Sequence, residues 1–430
     1  MNTDPSTLNS LKRKPAPSRL TIWLALWLAA SAGTAAKADE APVAEAAAPI
    51  IQPSLTITGE YWRNVDGGQR TGGLWNVLAD LTFEVDLARL GGPADSALVA
   101  QVLGNKNQHE EVSVADYTGA ANPVSGIHAG DAWRVFNLHY RQSWADGAHT
   151  LKLGQLAIDD EFMGSEYSGL FANSAFGAMP SQVATPLAGR YGGSGAFPIY
   201  AVASPGLLVQ TTLNDAWSWQ TGLYYGGPGL DEKDNHGFEW TDGAGLVVFT
   251  EAAWTGKLAS LPNTVRLGGA YHSARFDDFE SLAAGRDDAT ARGLYSFYIV
   301  HDITLASRAE DKPLLGAFWR AGVSPQSDRA VVSTYADAGL NWFGPIPGRD
   351  DDIAGLAVAC THFGREFRRA SGDEAPAGTE TALELTYRAQ LTPWWALQAD
   401  AQWLFEPARD ADSGRRETAT VVGLRTEFAF

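Results

Sequence analysis

The chain has little of what small secreted folds and the common enzyme classes are built from. Its 430 residues include one cysteine, Cys360, so no disulfide can form within the chain. Cys360 follows a short apolar run and is interpreted as a small strand residue rather than a nucleophile. The sequence contains no G-x-S-x-G, H-E-x-x-H or P-loop motif. The sequence therefore predicts no cofactor and no metal site, and it argues against an enzyme.

Long apolar runs are missing beyond the N-terminus. Basic residues at positions 12–19 precede an apolar run over 20–30, and the small residues Ala36 and Ala38 follow it. This order predicts a secretory signal peptide, residues 1–38, cleaved after Ala38. The run is shorter than the roughly twenty residues of a spanning helix. Since lipid admits only helices and closed barrels, the exported chain is predicted to be either soluble or a β-barrel.

Positive charge is scarce. The chain carries 32 Lys and Arg residues against 50 Asp and Glu residues, a formal net charge of −18 at pH 7. Nucleic acid binding requires a basic surface, so no nucleic acid partner is predicted. The Ala- and Pro-rich segment 39–53 predicts a flexible periplasmic tail. Turn residues are spread evenly after it, and residues 54–430 are predicted to form one all-β domain.

What the sequence does have is alternation with a period of two residues. In the segment 76–87, apolar residues alternate with a face that carries Asp80, Glu84 and Asp86. The same pattern recurs at 265–272, 383–390 and 422–430, each time with ionisable residues on the second face. A sandwich core would have to bury these charges, whereas a water-filled lumen accepts them.

The pattern predicts a closed antiparallel transmembrane β-barrel of about sixteen strands. Most of the fifteen Trp residues, Trp62 and Trp394 among them, lie near strand ends, as in the aromatic girdles of barrels. The chain also ends on a patterned strand with Phe430, which suits a last strand that pairs with the first. The candidate strands lie near 55–62, 76–87, 96–104, 133–142, 148–155, 205–214, 216–226, 244–256, 263–273, 293–302, 315–323, 331–342, 353–363, 379–391, 394–405 and 418–430.

Short turns alternate with long connections. Asn214-Asp215 and Thr392-Pro393 predict tight turns at a sheltered rim. The long acidic segments 227–243, 276–292 and 344–352 are assigned to the external rim, where their carboxylates are predicted to be solvated rather than to bind cations.

The longest stretch without alternation is 151–205, which opens with the fifth candidate strand. A structureless segment of this length is usually functional or disordered, and its aromatic residues argue against disorder. We predict that it folds inward and narrows the lumen; the alternative is an external lid.

Several stretches resemble the OprB-type carbohydrate-selective porins of Gram-negative outer membranes. They are 153–162, 171–177, 335–340, 344–352, 384–395 and 422–430. The resemblance implies a sixteen-stranded outer-membrane porin that passes monosaccharides, polyols and similar small polar solutes through a charged eyelet formed by an inward loop. It implies small carbohydrates as solutes, outer-membrane lipid and lipopolysaccharide as surroundings, and a monomer or a homotrimer.

Candidate pore-lining residues combine acids and bases, because a sugar needs both hydrogen-bond acceptors and donors. The loop offers Asp159, Asp160, Glu161 and Arg190, and the wall offers His139, Arg141, Arg266, Glu384, Arg388 and Arg425. The three acids could instead cap a short helix near Glu161. Arg388 and Arg425 could instead form structural ion pairs with Glu384 or Glu427.

Two other functions remain open from the sequence. An outer-membrane protease or lipase could assemble Ser, His and Asp from separate strands, with His139, His272 or His301 as its base. A non-conducting barrel is the other alternative.

Overall fold

The computed structural model describes residues 49–109, 112–189, 195–309, 312–408 and 414–430. The predicted signal peptide, residues 39–48 of the predicted tail and Arg190 lie outside these residues. The barrel unit is Ile50–Phe430. Its first strand begins at Ile51, so the last residues of the segment predicted as a tail belong to the barrel wall.

The described residues form one closed antiparallel barrel of sixteen strands, in which each strand pairs with its neighbours in the sequence. The barrel prediction is confirmed, and each candidate strand has a counterpart in the structure. The strands are β1 Ile51–Asp66, β2 Gly72–Asp86, β3 Ser96–Asn107, β4 Trp133–Trp144, β5 His149–Leu156, β6 Ser204–Asn214, β7 Trp217–Tyr225, β8 Leu246–Leu258, β9 Leu261–Asp277, β10 Thr290–Ala309, β11 Lys312–Val323, β12 Val332–Phe343, β13 Ile353–Phe363, β14 Thr379–Thr392, β15 Trp395–Phe405 and β16 Ala419–Ala429.

Alternation places apolar side chains outside and polar side chains inside. On β9, Leu267 is 56% exposed on the outer face, whereas His272 is fully buried inside. On β14, Leu385 is 50% exposed, and its neighbour Glu384 is fully buried inside. Most exposed Trp residues lie near strand ends, but Trp62 points inward, because Gly423 on the paired strand leaves room for its ring.

The first and last strands close the barrel. The pairing of β1 with β16 runs from Thr56 opposite Ala429 to Asp66 opposite Thr420. The main chains of Leu55 and Phe430 exchange hydrogen bonds of 3.1 and 2.9 Å. Since every strand then has two partners, no unpaired edge faces the lipid.

The connections alternate between the two rims. The turns after β4, β6, β8 and β14 are short and share one rim, so the longer loops mark the external side. The assignment of 344–352 to the external rim is wrong, because this segment joins β12 to β13 on the rim of the short turns. There Arg308 at the end of β10 pairs with Asp350, and Arg349 pairs with Asp352. In the part of the chain that is described, no cluster of His, Cys, Asp and Glu could hold a metal ion.

The helices are short and belong to the connections. None in the described ranges is long and apolar enough to cross a membrane. They are α1 Ala115–Thr118, α2 Pro180–Val183, α3 Phe279–Ala283 and α4 Arg365–Ala370, with 3-10 turns at Ala88–Leu90, Ser168–Leu170, Ser174–Phe176 and Gly372–Glu374.

Gly154 supplies a testable constraint on the fold. Its φ is +148°, and a Cβ there would lie 2.2 Å from the carbonyl oxygen of Leu138 and 2.7 Å from Cα of His139. We expect Gly154→Ala to lower the free energy of unfolding by more than about 2 kcal/mol, because main-chain atoms would have to move. Urea titration of the folded barrel measures this. Gly59→Ala is the control, since its Cβ would meet only Thr426 at 3.6 Å; equal losses for both variants would contradict the expectation.

Candidate pore constriction

The connection from β5 to β6, residues 157–203, folds into the lumen. Its buried side chains, which include Ile158, Phe162 and Met179, pack in one cluster with Phe249 and Phe318 of the inner wall. The predicted inward folding is therefore confirmed, and the external lid is excluded for the described part of this loop, which we call the third loop because it is the third on the external rim.

One buried ion pair fastens the third loop to the wall. Arg320 on β11 faces Asp337 on β12, and its Nε lies 3.0 Å from Asp337 Oδ2. The remaining guanidinium donors reach main-chain oxygens of the loop, at 2.7 Å for Gly177, 3.1 Å for Ala175 and 3.3 Å for Met163. Arg320 is 1% exposed, so every donor is used inside the protein.

Wall carboxylates accept main-chain N–H groups from the same loop. Glu384 accepts from Ala172 N at 2.6 Å and from Asn173 N at 2.9 Å. Glu251 accepts from Met163 N at 3.3 Å. These acceptors satisfy loop donors that have no strand to pair with, as a buried main chain requires.

A second loop also enters the lumen, which the sequence analysis missed. In the described part of the connection from β3 to β4, Ala121 N and Asn122 N donate to Glu380 at 2.7 and 2.9 Å. The two loops touch, since Gly126 N donates to Ala172 O at 3.2 Å. The available signal was the long stretch 108–132 without alternation.

Asp159 is a structural residue of the third loop. Residues 158–162 form a hydrogen-bonded turn, in which Phe162 N donates to Ile158 O at 2.9 Å, so the predicted helix cap is wrong. Asp159 Oδ2 accepts from Tyr200 N at 3.0 Å, and Oδ1 is buried without a partner in the described residues. Burial, together with the negative charge of the adjacent Asp160 carboxylate, raises the pKa of Asp159 to about 7.

Asp160 and Glu161 face the polar lumen. Asp160 is exposed and accepts from Asn137 Nδ2 at 2.7 Å. Glu161 forms an ion pair with Lys152 on β5 and accepts from Gln210 Nε2 at 3.2 Å. An acid of the loop therefore meets a base of the wall here.

Arg266 is the predicted wall residue that lines the same cavity as Glu161. Its Nη1 donates to Asp302 Oδ2 at 2.8 Å, and 26% of its side chain stays exposed. A cavity of about 430 Å³ is lined by polar groups of the loop and of β5 to β9. These include Glu161, Gln210, Gln220, Glu251, Arg266 and the hydroxyls of Thr150, Thr212, Ser218, Thr255 and Thr264.

Two further predicted wall residues, His139 and Arg141, lie in the half of β4 that leads to the rim of the short turns. Arg141 pairs with Glu84 on β2 and lines a separate cavity of about 550 Å³ toward the rim of the short turns. His139 is 8% exposed, so it contributes little surface to the lumen.

The last three predicted residues do not line the cavity that Glu161 and Arg266 share. The expectation that Glu384 lines the pore is wrong, because the carboxylate lies fully buried under the third loop. Arg388 pairs with Glu427 at 2.8 Å on the short-turn rim. Arg425 pairs with Glu60 at 3.1 Å across the closing seam, and neither Glu384 nor Glu427 is its partner.

A family model described as "Carbohydrate-selective porin, OprB family" matches residues 78–430. The chain belongs to this family. It is an outer-membrane carbohydrate porin.

Relatives of this porin agree in length and fold. Porin B of Pseudomonas aeruginosa is 24% identical over 409 residues, with 87% of each chain covered. The high-pH structure of Pseudomonas putida OprB superposes with a TM-score of 0.76 at 21% identity, covering 88% of this chain and 94% of that one. The outer membrane channel DcaP of Acinetobacter baumannii gives a TM-score of 0.52 at 9% identity, covering 88% and 97%. These structures share the barrel fold.

The histidines considered for a barrel enzyme do not converge. His272 lies inside, where its Nε2 contacts the carbonyl oxygens of Ala196 and Gly226 at 2.7 and 2.9 Å. His301 lies on the outer face beside Trp319, whose Nε1 donates to it at 2.9 Å. His139 belongs to the inner wall of β4.

The Arg320 contact leads to a prediction about the loop of this porin. Arg320→Met leaves Asp337 buried without its cation, so we expect a loss of about 3–5 kcal/mol in unfolding free energy. Limited proteolysis should also cut the third loop faster. Arg388→Met is the control, because its partner Glu427 is partly exposed and holds no loop. Proteolysis of Arg320→Met at the rate of the control would contradict the assigned anchor.

The raised pKa of Asp159 leads to a prediction about pH. In the folded porin Asp159 stays protonated up to about pH 7, whereas in the unfolded chain it loses its proton near pH 4. The free energy of unfolding therefore falls as the pH rises from about 4 to about 7. We expect Asp159→Asn to reduce the fall in urea midpoint between pH 4 and pH 7. Asp146→Asn in the exposed turn after β4 is the matched control, and an identical fall in both variants would refute the role of Asp159.

Proposed function

We propose that this porin passes monosaccharides and polyols by passive diffusion through the constriction beside the third loop. Solute would travel past the cavity of about 430 Å³ in which Glu161, Gln210 and Arg266 meet. The observation that carries the proposal is that acidic, basic and amide groups converge there while keeping exposed surface.

The chemistry of the cavity suits neutral polyhydroxyl solutes. Carboxylates accept hydrogen bonds, Arg only donates them, and amides and hydroxyls do both, so a ring of hydroxyl groups finds a partner in either direction. The planar fork of Arg266 can hold two adjacent hydroxyls. Each hydrogen bond between solute and wall replaces a hydrogen bond with water. The net binding is therefore weak, as flux through a pore requires.

We further propose that Asp160 adds a negative charge to the eyelet, whereas Arg141 and Arg388 serve the short-turn rim. Residues 1–38 would be removed on export, and the porin would work as a monomer or a homotrimer without enzymatic activity. Lipid and lipopolysaccharide would surround it.

Liposome swelling tests the function itself. We expect liposomes that contain the porin to swell in isotonic glucose, mannitol or glycerol much faster than protein-free liposomes, and more slowly as the solute becomes larger. Swelling at the rate of the empty liposomes for all three solutes would refute the proposal.

Arg266→Lys tests the cavity. Lysine keeps the positive charge beside Asp302 but lacks the planar fork, so the sugar concentration that half-blocks the ion current should rise about two- to tenfold. Arg388→Lys is the control, since Arg388 pairs with Glu427 outside this cavity. If both variants match the unchanged porin while sugars still permeate, the route does not pass Arg266.

A further inference from the structure

A groove of about 610 Å³ crosses the outer wall from β9 to β13. It arises because small side chains follow one another across three strands: Ala321 pairs with Ala336, and Ala336 pairs with Cys360. Larger side chains border this row, with Leu267 at one end and Phe297 above it. The groove is therefore a depression in the lipid-facing surface, with Thr334 and His362 at its external end.

Two arginines lie near the external end of the same wall. Arg275 on β9 and Arg292 on β10 are direct partners in the strand register, and both are exposed. No carboxylate within the described ranges forms an ion pair with either. Like charges placed directly opposite each other destabilise a sheet, so an anion between them would relieve the repulsion.

Neighbouring groups confine this positive charge to the rim. Arg292 Nε donates to Ser273 O at 3.1 Å, which orients the side chain along the wall. Asp277, on the same strand as Arg275, accepts from Gly189 N at 3.1 Å. The loop that connects the two strands carries one base, Arg286, and four acids, so it is net acidic where the strands end; the acids are Asp278, Glu280, Asp287 and Asp288.

The positions of the groove and of the two arginines along the strands match the layers of a bilayer. Tyr271 and Tyr295 are register partners, 47% and 43% exposed, between the arginines and the groove. Exposed tyrosines in a ring of this kind mark the boundary between hydrocarbon and headgroups. Arg275 lies four residues, about 13 Å of strand, beyond Tyr271, at the level of lipid phosphates.

We propose that this wall binds one phosphorylated, multiply acylated lipid of the outer leaflet, the lipid A part of lipopolysaccharide. An acyl chain would fill the groove over Ala321, Ala336 and Cys360. A phosphate would accept charge-assisted hydrogen bonds from Arg275 and Arg292. The groove is continuous with the lipid-facing band, and Arg275 and Arg292 place positive charge at its headgroup end, which selects an anionic lipid over a purely apolar occupant.

The test measures lipid retention by the full porin in detergent micelles. Native mass spectrometry would count adducts of bisphosphorylated, hexa-acylated lipid A, of the same lipid without phosphates, and of phosphatidylcholine. We expect tightest binding of the bisphosphorylated form. Arg275→Gln/Arg292→Gln should weaken it about tenfold and remove the preference for phosphate. Ala336→Phe should fill the groove and weaken both forms of lipid A.

Matched controls separate the site from general surface effects. Arg63→Gln removes an exposed outward arginine on β1, and Ala401→Phe enlarges a lipid-facing side chain that pairs with Leu385. Both should bind lipid A as the unchanged porin does, and unaltered sugar swelling should show that every variant is folded. Equal binding by the site variants and the controls would overturn the proposal. So would a change in oligomeric state with unchanged lipid binding, because a second copy of the chain would then cover the groove.

Discussion

The buried contact of Arg320 with Asp337 is the interaction on which the inside of this porin depends. A guanidinium removed from water needs both a counter-charge and acceptors for all its donors. Asp337 supplies the charge, and the carbonyls of Met163, Ala175 and Gly177 supply the acceptors. The wall thus holds a chain segment that has no strand partner, and the lumen is narrowed by a loop with a defined position.

The same logic explains why the inner wall carries so many acids. Glu384, Glu251 and Glu380 each accept main-chain N–H groups from a loop. Asp160 and Glu161, in contrast, keep surface toward the lumen. Charges inside the barrel therefore either fix the loops or keep surface toward the lumen, and Glu251 does both. The outer wall shows the reverse case: in the ranges that the structure describes, no acid forms an ion pair with Arg275 or Arg292, and both side chains are exposed.

Two residues of the candidate cavity, Glu161 and Arg266, could be anticipated from the sequence, but the roles of the other inward residues could not. Alternation identifies Glu384, Arg388 and Arg425 as inward residues, because a strand turns every second side chain to the same face. Alternation does not reveal which loop residues cover these inward side chains. Glu384 is covered by Ala172 and Asn173, whereas Arg425 meets Glu60 only because the barrel closes. Acidity predicts the external rim for residues 344–352, whereas the order of the strands places this segment on the opposite rim.

The sequence by itself determined the barrel, through its period-two patterns and the long unpatterned stretch after β5. These are local features, and the need to satisfy every main-chain group in lipid converts them into one architecture. Tertiary structure alone decided which acids keep surface toward the lumen, which arginine anchors the third loop, and that a second loop enters the lumen. Arg320 and Met163 are 157 residues apart in the chain, and burial at that distance depends on packing that no local pattern encodes.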